Sequence, residues 1–567
     1  VSGTQCIGHN KCKDYSGLSA VKDSVNDPQF RARVYLVGAG PGDPGLLTVK
    51  GARLLALADV VVYDYLANVR LLSHAKPEVE KIYVGKKAAQ HAMTQAEINE
   101  LLIKLARDGK RVVRLKGGDP YVFGRGGEEG EALFDAGIAF ETVPGITAAI
   151  AAPCYAGIPV THRDFNSSFT LITGHEKEEQ YKDPDAKARD AGAGSSDLEW
   201  SAIAKLPCVA FYMGAKALPR ITQKLIEHGL DPATPAATIQ WGTMPSQKSC
   251  DGTLADIAEK VIHAGISSPA ITIIGKVVAL RKTLNWFESR PLFGQTIIVT
   301  RTRQQASELS VQLEDLGANV IEAPTIELRA PASWKDFDNL FLPRPDGPAQ
   351  GERGPEARLP ETRASQTFDW IIFTSANGVG FTRQRLRELN LDVRVFGNAK
   401  IAAMGEATRR AIEDQLSLTA DLTPESFVAE ALADALEKKN EVKGRRFLLL
   451  RADIARPMLR DRLEAAGAGL ILDIPVYETH PVSVLPDQVL DLLRARQIHW
   501  ITFTSSSTAK NFVSLLASET SLLQDVKRAS IGPVTSHTLR EMRLIPTVEA
   551  THYNIAGLVE AILKFHA

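Results

Sequence analysis

The chain has 567 residues, with 66 Lys and Arg against 67 Asp and Glu, a formal net charge of −1 and 44% hydrophobic residues. That length exceeds one core and implies several domains, while the balanced charge excludes the broad basic footprint of a nucleic-acid or anionic-membrane binder, so an acidic ligand has to be held locally. No apolar stretch approaches the roughly eighteen residues of a membrane span, and the five cysteines, Cys6, Cys12, Cys154, Cys208 and Cys250, form neither a paired disulfide set nor a zinc spacing.

Residues 1–32 are polar, carry Cys6, His9 and Cys12, and lack the apolar core of a signal peptide. They are expected to be a solvated tail of a cytoplasmic protein, with no metal bound. From Val34 onward, β-branched runs alternate with helical patterns. VYLVGAG, DVVVYD, KIYVGKK and RVVRLKGGD read as strands ending in polar or glycine-rich loops, and TQAEINELLIKLARDG reads as a helix between them. This is α/β patterning. The run VYLVGAGPGDPGLLT at 34–48 fails as a dinucleotide fingerprint, because Asp43 takes the third glycine's place and Pro41 and Pro44 remove amide donors. With no other G-x-G-x-x-G after a strand, a nicotinamide oxidoreductase is rejected.

Residues 176–199 are charged and small, the mark of a flexible insertion, after which CVAFYMG, AATIQWG and AITIIGKVV resume as strands. The junction RKTLNWFESRPLFG at 281–294 leads into a second half that matches itself. GQTIIVTR at 294–301 repeats as GRRFLLLR at 444–451, DWIIFTSANGVGF at 369–381 as HWITFTSSSTAKNF at 499–512, and KIAAMGEAT at 400–408 as RASIGPVT at 528–535. The offset drops by about twenty, which a Pro-, Gly- and charge-rich insertion at 343–366 in the first copy accounts for. Each FTS ends a strand, where open α/β sheets bind ligands near helix N-termini.

Taken together, VGAGPGDPGLLT, VVYD, VGKK, VVRLKGGDPYVFGRGGEE, VPGITAAIAAPCYAGIPVTHR, FYMG and SPAITIIGKVV resemble uroporphyrinogen-III C-methyltransferase, in order over about residues 34–281. The resemblance implies a two-domain α/β methyltransferase that uses S-adenosylmethionine in a cleft and methylates two pyrrole carbons of uroporphyrinogen III to give precorrin-2. It assigns Pro41, Gly117, Gly118, Asp119, Val122, Thr147, Ala148, Met213 and Gly242 to the methyl donor. The residue types suit such a donor, since Gly117 and Gly118 let the backbone approach, Asp119 supplies a carboxylate and Val122 an apolar wall. Methyl transfer needs alignment and then a proton acceptor and donor; Asp64 and Lys86 match the family positions for general base and acid. Arg125, His162 and Arg163 are expected to pair with the tetrapyrrole's carboxylates, and His175 reads as a loop residue.

The repeated region resembles uroporphyrinogen-III synthase over about residues 294–567, through the opening TR, WIIFTSANGV, IAAMGEAT, LLLRADIAR, PVYET, ITFTSSST and ASIGPVT. This resemblance implies two α/β lobes joined by a pair of extended segments, closing linear hydroxymethylbilane with inversion of its last ring. Thr408, Tyr477 and Thr535 match cleft positions of that family, with Tyr477 as proton partner of the departing hydroxyl, and Ser375 and Ser505 are candidate carboxylate binders.

The expected order is therefore a tail at 1–32, a methyltransferase at 33–282, a linker at 283–293, and a synthase at 294–567 whose lobe one is 294–330 plus 478–567 and lobe two 335–475. Its fold class is α/β: a two-domain tetrapyrrole methyltransferase fold followed by a duplicated two-lobe α/β synthase fold. S-adenosylmethionine is the expected methyl donor. The expected partners are small tetrapyrrole substrates and a second copy of the chain, giving a homodimer through the methyltransferase half, with neither nucleic acid nor membrane. The product leads toward sirohaem, cobalamin or another modified tetrapyrrole. The competing reading is a tetrapyrrole-binding regulatory protein with one half catalytically inactive.

Overall fold

A computed structural model describes residues 33–85, 93–174, 198–301, 303–342, 368–424 and 429–566, the side chains of 303–307 excepted. The chain divides into two units, one ending at Gly294 and the other beginning at Gln295.

The first unit holds two sheets. One is all parallel, built from β1 (Val34–Gly38), β2 (Val60–Tyr63), β3 (Glu80–Tyr83), β4 (Val112–Lys116) and β5 (Phe140–Val143) in the order β3-β2-β4-β1-β5. Strands β1 and β2 are apolar on both faces because helices cover both. Tyr35, Val37, Val61, Val113 and Leu115 pack under the helix Val49–Leu57, while Val34, Leu36, Val60, Val62 and Val112 pack under Gln95–Arg107. The latter helix opens on a reciprocal capping box between Thr94 and Glu97, a device legible in the run TQAE. The second sheet is mixed: β6 (Thr170–Thr173), β7 (Cys208–Tyr212), β8 (Pro235–Gln240), β9 (Lys248–Thr253) and β10 (Ala270–Gly275), in the order β6-β7-β10-β8-β9. Glu199, at the end of the expected insertion, is the N-cap residue of the short helix Trp200–Ile203.

The expected linker at 283–293 is corrected: it is packed onto the first unit. Phe287 and Leu292 are buried, and Tyr155 packs against both Trp286 and Phe287 with ring centroids 4.9 Å apart. Trp286 Nε1 donates to the Cys154 carbonyl at 3.1 Å. Glu288 accepts from Gln247 Nε2 at 2.8 Å, Ser249 Oγ at 2.5 Å and Arg281 Nη2 at 2.6 Å. Adjacent aromatics and a carboxylate with this many donors make a clamp rather than a tether.

The second unit also holds two sheets. β11 (Thr296–Val299), β12 (Asn319–Glu322), β18 (Trp500–Phe503), β19 (Lys527–Ser530) and β20 (Val548–Glu549) form the order β12-β11-β18-β19-β20. β13 (Ile326–Arg329), β14 (Trp370–Phe373), β15 (Lys400–Ala403), β16 (Arg446–Ala452) and β17 (Leu470–Pro481) form β13-β17-β16-β14-β15. The two copies of the repeat are interleaved. The first strand of each copy pairs in parallel with the FTS strand of the other, and in the same register: Ile297 opposite Trp500, and Phe447 opposite Trp370. The extended crossing segments also pair, with Ile326 opposite Pro481 and Val482 N donating to Thr325 O. Residues 326–329 therefore belong to the sheet of lobe two, not to lobe one as expected, because β13 finds its hydrogen-bond partners only along β17 among the described strands.

Candidate active sites

In the first unit Pro41, Asp64, Gly117, Gly118, Asp119, Val122, Thr147 and Ala148 follow the carboxyl ends of the parallel strands, the edge at which open α/β sheets take ligands, whereas Met213 and Gly242 follow β7 and β8 of the mixed sheet. The glycine loops after β1 and β4 exchange two backbone bonds, Gly118 N to Gly40 O at 2.7 Å and Gly40 N to Gly118 O at 3.2 Å. The loop after β5 presses on both. A Cβ on Gly145 would stand 2.2 Å from the Gly118 oxygen and 2.7 Å from the Gly38 Cα, so only glycine permits the approach. Asp119 ties the same loops, one oxygen accepting from Tyr121 N at 2.8 Å and the other from Gly145 N at 3.0 Å. Buried Thr147 shares a hydrogen bond with the Tyr212 hydroxyl, which also accepts from Ala149 N at 2.9 Å and whose pKa is pushed up by burial. Tyr212 ends β7, and Met213 follows it. Ala148 opens the helix Ala148–Tyr155. Gly242 packs on that helix, since a Cβ there would meet the Ala152 Cβ at 2.2 Å.

Backbone strain marks loops of both sheets. Phe123, Arg125, Met213, Trp241 and Thr243 all hold φ between 50° and 72°, a region non-glycine residues seldom occupy. Phe123, Arg125 and Met213 line one cavity of about 810 Å³ together with Tyr121, Gly126, Gly127 and Glu128. Met213, expected at the donor, and Arg125, expected at the substrate, thus share a wall. Arg125 forms a bidentate pair with Glu128 at 2.8 and 2.6 Å, which holds the Glu128 carboxyl below its usual range. Pro41 and Val122 are half-buried in their loops.

Asp64 follows β2; its Oδ2 accepts from Arg114 Nη2 and its Oδ1 from Leu66 N. Lys86 and His175 lie outside the described residues. His162 and Arg163 sit on the loop bridged by His162 and Asn166, and neither lines the cavity that Arg125 lines. Asp43, the residue that spoils the dinucleotide pattern, is a staple: Oδ1 caps Gly45 N at 2.7 Å and Oδ2 accepts from the Tyr155 hydroxyl at 2.7 Å. Sequence reasoning missed Arg114 and Lys116, buried on β4 beside β2, and Glu129, buried on the helix Gly126–Asp135. The signal was present, since charged residues alternating with Val113 and Leu115 in a central strand demand buried partners.

In the second unit Ser375 and Ser505 occupy equivalent places after β14 and β18, and each caps the following helix, accepting from Gly378 N and Thr508 N respectively. Ser375 Oγ lies 3.1 Å from the Tyr477 hydroxyl. Tyr477 is 7% exposed, stacks on Phe381 at 5.6 Å, and has its pKa raised by burial. Its hydroxyl therefore stays protonated at neutral pH and can donate. Thr408 and Thr535 are the third residues of the helices Glu406–Ala411 and Pro533–Glu541, both buried. Their equivalence follows from the repeat. Among the described residues no helix is long and apolar enough to cross a membrane, and no group of three His, Cys, Asp or Glu side chains could hold a metal ion.

Residues 33–258 match the family of tetrapyrrole (corrin/porphyrin) methylases, and residues 307–560 match the uroporphyrinogen-III synthase HemD family. The porphyrin biosynthesis protein HemD of Ruminiclostridium josui is 35% identical over 532 residues, 94% of this chain and 97% of that one. The uroporphyrinogen-III C-methyltransferase of Bacillus subtilis is 42% identical over 394 residues, 69% of this chain and 74% of that one. A siroheme synthase of Thiobacillus denitrificans is 47% identical over 268 residues, 47% of this chain and 53% of that one. The chain belongs to the fused family that these matches define, a tetrapyrrole C-methyltransferase followed by a uroporphyrinogen-III synthase on one polypeptide.

Proposed function

We propose that the second unit closes hydroxymethylbilane to uroporphyrinogen III and that the first methylates this product twice from S-adenosylmethionine, giving precorrin-2. The observation that carries the methyltransferase reading is the bonded series of loops Gly40 to Gly118, Asp119 to Gly145, and Thr147 to Tyr212, which joins both sheets of one unit around the expected donor residues.

These residues fit a sulfonium nucleoside. Gly38 and Gly145 pack backbone to backbone, Gly118 leaves room with nothing nearer than Ala148 N at 4.0 Å from a Cβ built there, and the Asp119 carboxylate keeps lone pairs beyond its two backbone bonds for an ammonium group. Bound there, the donor supplies an electrophilic methyl group. Asp64 is the proton acceptor in this reading and Lys86 the proton donor. Arg125 meets a substrate carboxylate once it parts from Glu128, with His162 and Arg163 as further cations for the rim.

In the second unit Tyr477 protonates the departing hydroxyl of the bilane, with Ser375 fixing the phenol. Thr408 and Thr535 hold the folded chain by hydrogen bonds from the two sheets, and Ser505 binds a carboxylate. Ring inversion requires the chain to be held before spontaneous closure, so shape and distributed hydrogen bonds matter more here than a strong acid. The same reading includes a cytoplasmic homodimer formed through the first unit.

Asp64→Asn tests the methyltransferase half: supplied uroporphyrinogen III should stay largely unmethylated while S-adenosylhomocysteine binds normally. Full turnover by that variant would remove Asp64 from the mechanism.

A further inference from the structure

Strand β4 carries Val113 and Leu115 on one face and Arg114 and Lys116 on the other, and both cations are only 3% exposed. Charged groups persist at such depth only when paired and hydrogen-bonded. Both are paired to one acid, Glu129, which is fully buried on the helix Gly126–Asp135. Its Oε1 accepts from Lys116 Nζ at 2.8 Å, Arg114 Nε at 3.2 Å and Gln95 Nε2 at 3.3 Å, while its Oε2 has no hydrogen-bond partner among the described residues.

The two cations differ in reach. Lys116 is ion-paired with Glu129 alone among the described carboxylates. Arg114 is held at three corners: Nε by Glu129, Nη1 by the Leu115 carbonyl at 3.0 Å, and Nη2 by Asp64 Oδ2 at 3.0 Å. Asp64 is the member that meets solvent, with its side chain 25% exposed against 4% for Arg114 and none for Glu129. A planar guanidinium fixed at two corners has no freedom at the third. The Glu129 and Leu115 bonds therefore fix the guanidinium corner that meets Asp64 Oδ2, while Leu66 N holds Asp64 Oδ1, and the Lys116 bond balances the buried charge.

We propose that Glu129 is a positioning residue for methyl transfer: through Arg114 it fixes the orientation in which Asp64 faces the tetrapyrrole. This rests on the reading of Asp64 as proton acceptor. A purely structural role for Glu129 would be met by charge balance alone, so the decisive comparison breaks the balance in one variant and, in the other, restores it while removing the bond to Arg114.

Lys116→Met keeps Glu129 on Arg114, whereas Lys116→Met with Glu129→Leu replaces the buried pair by apolar groups of similar volume, a change that folds tolerate. Both proteins should bind S-adenosylhomocysteine like the parent. Turnover of supplied uroporphyrinogen III should stay within about 3-fold in the single variant and fall about 10- to 100-fold in the double one, with KM unchanged within about 2-fold. Equal kcat in the two variants would overturn the proposal. Should the double variant fail to fold, E129D keeps the charge but withdraws the carboxylate by one methylene. It should then lose kcat with donor-product affinity intact, and full turnover there would equally overturn the proposal. Asp64→Asn run alongside separates the two levels: an inactive D64N with an active double variant sinks only the role of Glu129, while an active D64N sinks the role of Asp64 on which it rests.

Discussion

Gly145→Ala is expected to damage the methyl-donor cleft by geometry alone. The new Cβ would lie 2.2 Å from the Gly118 oxygen and 2.7 Å from the Gly38 Cα, and both obstacles are backbone, so no side chain can rotate away. Restoring ordinary contact needs the loops to part by about 1.2 Å, and overpacking of that kind costs about 1–3 kcal/mol. The same displacement strains the 3.0 Å bond from Gly145 N to Asp119 and the paired bonds between Gly40 and Gly118. Calorimetric titration with S-adenosylhomocysteine should show affinity reduced at least about 10-fold, equivalent to about 1.4 kcal/mol. Gly127→Ala is the steric contrast: nothing lies within 4 Å of a Cβ built there, it sits in the first turn of the helix Gly126–Asp135, and its melting temperature should rise with the gain of about 0.4–1 kcal/mol that alanine brings by restricting the unfolded chain. Parent-like affinity in Gly145→Ala, within about 2-fold, would show that these loops do not form the donor cleft.

Tyr477→Phe removes one buried hydroxyl whose partner Ser375 keeps its helix-capping bond, so stability should fall by only about 1 kcal/mol while ring closure slows at least about 10-fold and uroporphyrinogen I accumulates. Parent-like ratios of isomer III to isomer I would dismiss Tyr477. Glu288→Gln addresses the junction. Burial pushes this carboxyl up, but hydrogen bonds from Arg281, Ser249 and Gln247 outweigh it and leave its pKa lowered. A carboxylate with a depressed folded pKa stabilises above the unfolded value of about 4.3, and the contribution is lost as pH falls through the folded value. Urea unfolding of the first unit should therefore show a loss of about 2 kcal/mol at pH 7 that shrinks below about pH 4; a pH-independent difference would contradict the assignment. Finally, dividing the chain between Gly294 and Gln295 should yield two separately active proteins, whereas cleavage near Ser289 should destabilise the first, because Leu292 is buried and Phe293 packs on Phe287 at 5.4 Å. Equal stability of the two cuts, read by thermal melts, would show that the clamp is idle.

Much of this fold is written locally in the sequence. The buried parallel strands announce themselves as β-branched runs, and the register shared by Ile297 with Trp500 and Phe447 with Trp370 follows from a repeat visible by eye. What escaped was held by tertiary context. β9 reads KSCDGT, with no fully buried residue, and is a strand only because the neighbouring β8 supplies its hydrogen bonds. The junction looks like a linker by composition, and only the position of Tyr155 and Arg281 turns Trp286, Phe287 and Glu288 into a clamp. The same holds at the site. Gly117, Gly118 and Asp119 could be chosen from their motif, but Glu129 was one more acidic residue in GRGGEE until the helix placed it beneath two buried cations. Met213 and Trp241 carry positive φ, which no residue type at those positions betrays.

The most direct test of the account is anaerobic incubation of the purified chain with hydroxymethylbilane, with and without S-adenosylmethionine, followed by mass and isomer analysis of the tetrapyrrole. Uroporphyrinogen III is expected without the donor and its dimethylated derivative with it. Isomer I alone in both reactions would contradict the synthase assignment, and isomer III that stays unmethylated in the presence of the donor would contradict the methyltransferase assignment.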